Sequence, residues 1–265
     1  MDLNVRDKVA LITGASKGIG YATGRVLGRE GCRLALTARN SENLERAAAE
    51  LRKECGVGVI GIPGDMGKND DVERAVEATL SEWGKIDILI TCAGSSPGGL
   101  LEELTEDQFF GSLNLKFMGY VRTCKAVIPH MKSAGGGSIV LVVGNDGLKP
   151  SYWEMTAGIA NAADINFASS LAEQYGPHGI RTNTVNPGPV NTDRWDGLEA
   201  AFARDKHVSQ DEAHRLAVSS IPLGRICEPE EVANLVAFIA SPCSSFVNGA
   251  HIPIDGAQRK GIMDT

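Results

Sequence analysis

The chain of 265 residues is long enough for one large α/β domain with a full hydrophobic core. Apolar residues make up 43% of it and charged residues 22%, which is typical of a globular protein and excludes a disordered one. The net charge of −7 argues against nucleic acid as the main partner. The chain has no apolar run of membrane-spanning length, no secretory signal, no Cys-x-x-Cys pair and no metal-ligand spacing among its five histidines. We therefore expect a cytoplasmic protein with reduced cysteines, without membrane contact or bound metal.

Strand-like and helix-like segments alternate along the chain. The strand-like runs are short and rich in Val, Ile and Leu, and they lie at 8–13, 32–38, 57–62, 86–92, 138–143, 180–185 and 249–254. The amphipathic stretches that predict helices lie at 18–30, 41–55, 68–83, 105–132, 155–177 and 228–241. Apolar strands that alternate with helices are typical of a parallel sheet covered on both faces. With no linker or repeat, we expect a single α/β domain over residues 1–265.

A glycine-rich turn follows the first predicted strand. Gly14 and Gly18 lie between the apolar run 9–12 and the helical pattern 19–30, and Gly20 lies at the start of that pattern. Such a turn lets backbone N–H groups approach a pyrophosphate, and the helix N-terminus adds a favourable dipole. The strand before it and the helix after it distinguish it from an ordinary glycine-rich turn. The sequence therefore predicts a dinucleotide site.

The end of the second predicted strand indicates which dinucleotide is bound. An acidic residue there would bind the ribose 2′-hydroxyl of NAD(H), whereas a cation accommodates the 2′-phosphate of NADP(H). This chain has Ala38 and then Arg39 at that point, and Lys17 in the glycine turn, which favours NADP(H). The alternative is that both cations are solvated surface charges. After the third strand, Asp65 would bind the adenine amino group, cap the next helix, or do both.

Several ordered motifs resemble the short-chain dehydrogenase/reductase family. They are the residues 13–20 (TGASKGIG), 92–94 (CAG), 114–115 (NL), 186–192 (NPGPVNT), 245–249 (SFVNG) and 254–256 (IDG). The resemblance extends from about Lys8 to Gln258. It implies a doubly wound Rossmann-type sheet of about seven strands with helices on both faces, a nicotinamide cofactor and a small-molecule substrate. It also implies a homodimer or homotetramer built on the helices 112–132 and 155–177.

The resemblance also implies roles for individual residues. Asn114 matches the family's structural and catalytic asparagine, and Val190 and Thr192 match the residues that hold the nicotinamide carboxamide. The cofactor-binding residues expected from the motifs and the strand ends are Gly14, Ser16, Lys17, Gly18, Ile19, Gly20, Arg39, Asp65, Met66, Ala93, Gly94, Asn161, Pro187, Val190 and Thr192.

The family's chemistry needs a serine and a Tyr-x-x-x-Lys pair, because a lysine one helical turn away lowers the pKa of the tyrosine that donates the proton. Residues 176–183 match a family motif, and we count back from them at the family's usual spacing. The tyrosine position then falls on Ala157 and the lysine position on Asn161. The serine position at the end of the fifth strand falls on Gly144. No Tyr-x-x-x-Lys occurs anywhere in the chain, so we expect all three groups to be replaced.

Other polar residues near these positions are candidates for proton transfer. Asp146 and Tyr152 are the main ones, with Glu154 next to them, although each taken alone is more simply a solvated residue. The stretch 193–220 is expected to form a substrate lid. Trp153, Met155 and Trp195 would line an apolar pocket or would pack the lid on the body.

Three functions remain open at this stage. The first, which we favour because the cofactor half of the motif set is complete, is an NADP(H)-dependent oxidoreductase with a non-standard proton donor. Its substrate would be a small carbonyl compound, an alcohol or a conjugated compound. The second is a non-redox lyase, hydratase or isomerase that uses Asp146 or Glu154. The third is a protein that binds NADP(H) without catalysis.

Overall fold

The computed structural model describes residues 2–259, and within them the chain forms a seven-stranded parallel sheet. The strands are β1 (Val9–Thr13), β2 (Arg33–Ala38), β3 (Val59–Pro63), β4 (Ile88–Thr91), β5 (Gly137–Val142), β6 (Ile180–Pro187) and β7 (His251–Ile254). Their order across the sheet is β3-β2-β1-β4-β5-β6-β7, and every neighbouring pair is parallel. The predicted doubly wound, Rossmann-type α/β fold is therefore confirmed.

Helices cover both faces of this sheet. Over the same residues they are α1 (Gly18–Arg29), α2 (Ser41–Cys55), α3 (Asn69–Trp83), α4 (Glu106–Leu115), α5 (Phe117–Ser133), α6 (Met155–Tyr175), α7 (Asp193–Lys206), α8 (Gln210–Ser219) and α9 (Pro229–Ala240). On one face, α1 and α9 bury Leu27 and Val236 together with Ile12 of β1. On the other face, α5 and α6 bury Val127 and Leu171. Each central strand is apolar on both sides because both sides are covered.

The predicted helix 105–132 is two helices rather than one. Thr105 and Gln108 form a capping box that begins α4, and the chain breaks at Lys116 before α5 begins at Phe117. The two helices have different packing partners, which explains the break. α4 packs against α6, where Ser112 Oγ donates to the carbonyl oxygen of Thr156 at 3.0 Å, whereas α5 packs against α3 and the sheet in addition to α6.

The stretch 193–220, which the sequence analysis did not assign to helices, contains α7 and α8. Thr192 caps α7, and His207 adopts a left-handed conformation (φ 54°) that ends it. The helices enclose a small apolar cluster of their own, in which the Trp153 and Phe202 rings meet edge to face. This cluster holds α7 and α8 at the carboxyl ends of the strands. No helix within the described residues is long and apolar enough to cross a membrane.

Candidate functional site

A cleft of about 700 Å³ opens at the carboxyl ends of the strands, beside the point where the strand order reverses between β1 and β4. Open α/β sheets bind their ligands at this place. We call it the outer cleft. Its walls include twelve of the predicted cofactor-binding residues. These are Gly14, Ser16, Lys17, Gly18, Ile19, Gly20, Arg39, Asp65, Met66, Ala93, Gly94 and Thr192.

The glycine turn forms the floor of the outer cleft, and its backbone has no room for side chains. A Cβ on Gly14 (φ 68°) would lie 2.8 Å from the backbone nitrogen of Ala93, and one on Gly20 would overlap the carbonyl oxygen of Gly14. The N-terminus of α1 begins directly after this turn and receives no side-chain cap from Lys17. The first amides of α1 are therefore left for a ligand, which fits the pyrophosphate of a dinucleotide.

The far end of the outer cleft carries the residues expected to contact adenosine. Arg39 is exposed at the end of β2 and makes no ion pair within residues 2–259. Lys17 does have a partner, because its Nζ lies 2.7 Å from Asp193 Oδ2 of α7 across the cleft. Asp65 does not cap α3. Its Oδ1 accepts a hydrogen bond from the backbone N–H of Gly67 at 2.9 Å and forms a local turn.

A smaller cavity of about 150 Å³ continues the outer cleft inward, and we call it the inner cavity. The two share Ile19, Cys92, Gly94, Val142, Thr192 and Arg194 in their walls. The inner cavity also contains the remaining predicted cofactor residues, Asn161, Pro187 and Val190.

Gly144, Ala157 and Asn161, which lie apart in the sequence, meet in the wall of the inner cavity. Asn161 and Asp146 are both buried, and Asn161 Nδ2 donates to Asp146 Oδ1 at 2.5 Å. The other amide atom, Asn161 Oδ1, is buried with no hydrogen-bond partner among the described residues. A Cβ on Gly144 would lie 2.7 Å from Asn161 Nδ2 and still closer to Asp146 Oδ1. The Asp146–Asn161 pair therefore occupies the space beside Gly144.

Charged side chains are concentrated around the inner cavity. Asp146, Glu154, Lys116 and Arg194 lie in its wall. Burial lowers the pKa of Lys116, and the carboxylate of Asp146 opposes that shift. Asp164 is fully buried on α6, and burial raises the pKa of its carboxyl group to about 8. Lys116 was not predicted to be a site residue, because a lysine within an amphipathic helical pattern is ordinarily a solvated residue.

Asn114 and Tyr152 lie elsewhere than expected. Asn114 is exposed and outside the wall of either cavity, because its side-chain amide joins α4 to its surroundings. Its Nδ2 donates to the carbonyl oxygen of Gly67 at 3.3 Å, and its Oδ1 accepts from Arg122 at 2.7 Å. Tyr152 is 40% exposed and also lies outside both walls, with the Lys206 ammonium 4.9 Å from the centre of its ring. Neither residue is placed to reach a ligand in the inner cavity.

The aromatic residues near the cavity divide into two groups. Trp195 and Leu198 of α7 line the inner cavity and give it an apolar side. Trp153, in contrast, is completely buried in the packing of α7 and α8, where its Nε1 donates to Asp205 Oδ2 at 2.8 Å. Tyr120 of α5, which was not predicted to be a site residue because no lysine follows it four residues on, also lies in the cavity wall.

A parallel sheet with a glycine cradle at the reversal of strand order defines a Rossmann-type nucleotide-binding protein. Comparison with known proteins narrows the class. A family model described as enoyl-(acyl carrier protein) reductase matches residues 14–257. The 3-oxoacyl-(acyl-carrier-protein) reductase FabG of Chlamydia muridarum is 30% identical over 250 residues, covering 94% of this chain and 96% of that protein.

Two further comparisons agree with this one. The peroxisomal 2,4-dienoyl-CoA reductase of Danio rerio is 33% identical over 251 residues, covering 94% of this chain and 81% of that protein. Among solved structures, the L-sorbose reductase of Gluconobacter frateurii in complex with NADPH and L-sorbose has a TM-score of 0.91 and 29% identity, and the match covers 100% of both chains. The chain belongs to the short-chain dehydrogenase/reductase family of oxidoreductases.

Proposed function

We propose that the protein is an NADP(H)-dependent oxidoreductase that acts on a small carbonyl compound, an alcohol or a conjugated compound with a non-standard proton donor. One observation carries the proposal: the outer cleft is continuous with the inner cavity. The outer cleft contains the glycine cradle and Arg39, and the inner cavity contains Lys116 and Asp146. The bound cofactor would supply or accept a hydride. The chain's own residues would hold the substrate and move the proton.

The preference for NADP(H) rests on charge at the adenosine end of the outer cleft. Arg39 offers a guanidinium without an ion-pair partner among residues 2–259, and this group suits bidentate binding of a phosphate. Lys17 offers a second cation, which would leave Asp193 to reach the same phosphate. The L-sorbose reductase relative binds NADPH, which supports the same choice.

We infer a non-standard proton donor from the identity of the three residues that meet in the inner cavity. Gly144, Ala157 and Asn161 stand where the family resemblance implies serine, tyrosine and lysine. None of them carries a hydroxyl, phenol or ammonium group, so proton transfer to a substrate oxygen falls to another residue. We propose that this absence is intrinsic to the site, because the Asp146–Asn161 pair fills the space that a serine at 144 would need.

The names of the relatives suggest the substrate class. One relative is a 3-oxoacyl reductase, one a dienoyl-CoA reductase and one a ketose reductase. All three reduce a carbonyl group or a conjugated double bond. Trp195 and Leu198 would contact the apolar part of such a substrate, and Arg194 would reach an anionic part.

Two features of the molecule support further parts of the proposal. We propose that α7 and α8 act as a substrate lid, since the Lys17–Asp193 ion pair joins α7 to the glycine turn across the outer cleft. We also propose a homodimer or homotetramer through α5 and α6, where Met118 and Ile159 expose apolar surface and the exposed Phe110 of the preceding α4 adds to it. Light scattering on the purified protein would give the mass, and a monomer would contradict the second point.

To test the proposed function, the purified protein is first titrated with NADPH and with NADH. The tryptophan fluorescence of the protein reports binding of each cofactor. Turnover is then measured by nicotinamide absorbance over a panel of ketoses, 3-oxoacyl thioesters and dienoyl thioesters. We expect tighter binding of NADPH and turnover of at least one substrate class. Binding of neither cofactor would contradict the proposal.

The buried carboxylates of Asp146 and Glu154 favour a second candidate, a non-redox lyase, hydratase or isomerase. Substrate turnover without any change in nicotinamide absorbance would identify it. Tight binding of NADPH with no turnover of any substrate would instead indicate a catalytically silent NADP(H)-binding protein.

A further inference from the structure

A buried lysine extends into the inner cavity from the junction between α4 and α5. The side chain of Lys116 lies along Gly94, where an added Cβ would be 3.2–3.5 Å from its Cγ, Cδ and Cε atoms. Only 9% of Lys116 is exposed, and both Lys116 and Gly94 belong to the cavity wall. The glycine therefore provides the groove through which the stem of Lys116 carries its ammonium group into the cavity.

The side chain of Lys116 is largely buried, and its ammonium group has no close partner among the described residues. Its Nζ makes no hydrogen bond or ion pair within residues 2–259. Charged groups face it from three neighbouring elements. They are Asp146 in the turn after β5, Glu154 and Asp164 at and within α6, and Arg194 of α7. A buried charge that lacks a partner is costly, so this arrangement suits a site in which a ligand oxygen completes the contacts of Nζ.

Tyr120 and Asp146, two other groups in the cavity wall, are less suited to donate a proton. The Tyr120 hydroxyl already donates to the carbonyl oxygen of Val142 at 2.9 Å, and burial raises its pKa well above the usual value. Asp146 Oδ1 already accepts a hydrogen bond from Asn161 Nδ2. Lys116 has both a transferable proton and free hydrogen-bonding capacity.

We propose that Lys116 is the catalytic proton donor of this site, an inference that rests on the proposed function. During reduction, the carbonyl carbon of the substrate gains a hydride from the reduced nicotinamide. The carbonyl oxygen gains a proton from Nζ of Lys116, which becomes a neutral amine and regains a proton from solvent through the open cleft. The carbonyl is reduced by two electrons and the nicotinamide is oxidised by two, so atoms and charge balance.

The position of Lys116 suits both parts of this role. An ammonium beside the substrate oxygen stabilises the negative charge that develops there during hydride transfer. Burial lowers the pKa of Lys116 toward the range in which an acid is effective, while the carboxylates of Asp146 and Glu154 oppose that shift. The donor must be protonated, so the rate of reduction falls as pH rises through the pKa of Lys116. The rate of alcohol oxidation should instead rise with pH, because Lys116 must be neutral to accept the proton in that direction.

The test compares Lys116→Met, which keeps the length of the stem, and Lys116→Arg, which keeps the charge. Lys125→Met serves as the control, because Lys125 is an exposed residue of α5. We expect Lys116→Met to bind NADPH within about threefold of the wild type, with a kcat lower by about 10²- to 10⁴-fold, the usual cost of a lost general acid. Lys116→Arg should recover little of the rate and should lose the alkaline limb, because arginine does not release its proton at these pH values.

A second readout does not depend on turnover. In protein labelled with carbon-13 at the lysine Cε, the resonance that disappears in Lys116→Met belongs to Lys116, and its titration gives the pKa directly. We expect the titration midpoint of Lys116 to lie below the ordinary lysine value. An ordinary lysine midpoint would overturn the proposal, as would a Lys116→Met or Lys116→Arg enzyme whose kcat is close to the wild-type value.

The outcomes separate this inference from the proposed function. Wild-type turnover that survives in Lys116→Met removes the role of Lys116 and leaves the oxidoreductase standing. A wild type that binds neither NADPH nor NADH, or that binds NADPH without turnover, overturns the proposed function and the role of Lys116 together. A Lys116→Met protein with a much lower unfolding temperature makes Lys116→Arg the deciding variant.

Discussion

Gly144 should be unable to accept even one methyl group while the Asp146–Asn161 hydrogen bond is intact. Gly144 has φ −52° and ψ 147°, a conformation that alanine adopts without strain. The cost of Gly144→Ala therefore comes from contacts alone. Its Cβ would lie 2.7 Å from Asn161 Nδ2 and closer still to Asp146 Oδ1, which is below any normal contact. One of these two buried side chains must move and break the bond between them.

The magnitude follows from the bond that is lost. A hydrogen bond to a charged group contributes about 1.5–3 kcal/mol, so Gly144→Ala should lower the free energy of unfolding by about 2 kcal/mol. In an Asp146→Ala background the clash with the carboxylate is gone, and the released Asn161 amide can rotate away. The same substitution should then cost less than about 0.5 kcal/mol, which gives a coupling energy of about 1.5 kcal/mol.

Urea unfolding of the wild type, the two single variants and the double variant measures this coupling. Gly111→Ala is the control, because Gly111 is an exposed residue of α4 with open space around its Cβ position. That substitution should raise the free energy of unfolding by about 0.5–1 kcal/mol, since alanine favours a helix. An equal cost of Gly144→Ala in both backgrounds would show that the Asp146–Asn161 pair does not fill the space beside Gly144.

Three other predictions follow from the charges. Arg39→Ala should weaken NADPH binding by about 10- to 100-fold and leave NADH binding nearly unchanged, because only NADPH carries the 2′-phosphate. Fluorescence titration measures both affinities, and an equal loss for the two cofactors would contradict this prediction. Asp193→Asn should tighten NADPH binding by about two- to fivefold at low salt, because it breaks the ion pair that Lys17 forms with Asp193 and frees Lys17 for the 2′-phosphate. An unchanged affinity would show that Lys17 does not contact this phosphate. The stability of the wild type should fall by up to about 1.4 kcal/mol per pH unit as pH rises from about 4 to about 8, because the buried Asp164 carboxyl, with a pKa of about 8, stays protonated only in the folded protein. Asp164→Asn should lack this slope in urea unfolding, and parallel profiles would contradict the assignment.

Much of the fold could be predicted from the sequence because local patterns determine it. The strands and most helices follow from apolar runs and helical periodicity, and helix ends such as Asn40 and Gly56 of α2 carry their own capping signals. α7 and α8 were not assigned because their surface is polar and their apolar cluster forms only in three dimensions. The break between α4 and α5 depends on tertiary packing, which periodicity does not report.

The residues of the candidate site also fall into two groups, those that local motifs predict and those that depend on how the helices pack. The glycine cradle and the end of β2 could be predicted, because each is a local motif with a mechanical reason. Asn114 was assigned from its motif, but its contacts with Gly67 and Arg122 depend on how the helices meet. Lys116 could not be found from the sequence alone, because its burial requires the helix break and the absence of a side chain at Gly94.

A crystal structure of the protein with NADP⁺ would show directly which residues surround each end of the cofactor. We predict that the 2′-phosphate lies within hydrogen-bond reach of Arg39 and that the nicotinamide ring lies over Gly94. Lys116 Nζ should then face the substrate side of nicotinamide C4, with no tyrosine hydroxyl near it. A nicotinamide ring outside the inner cavity, or a tyrosine hydroxyl such as that of Tyr152 beside C4, would contradict the account.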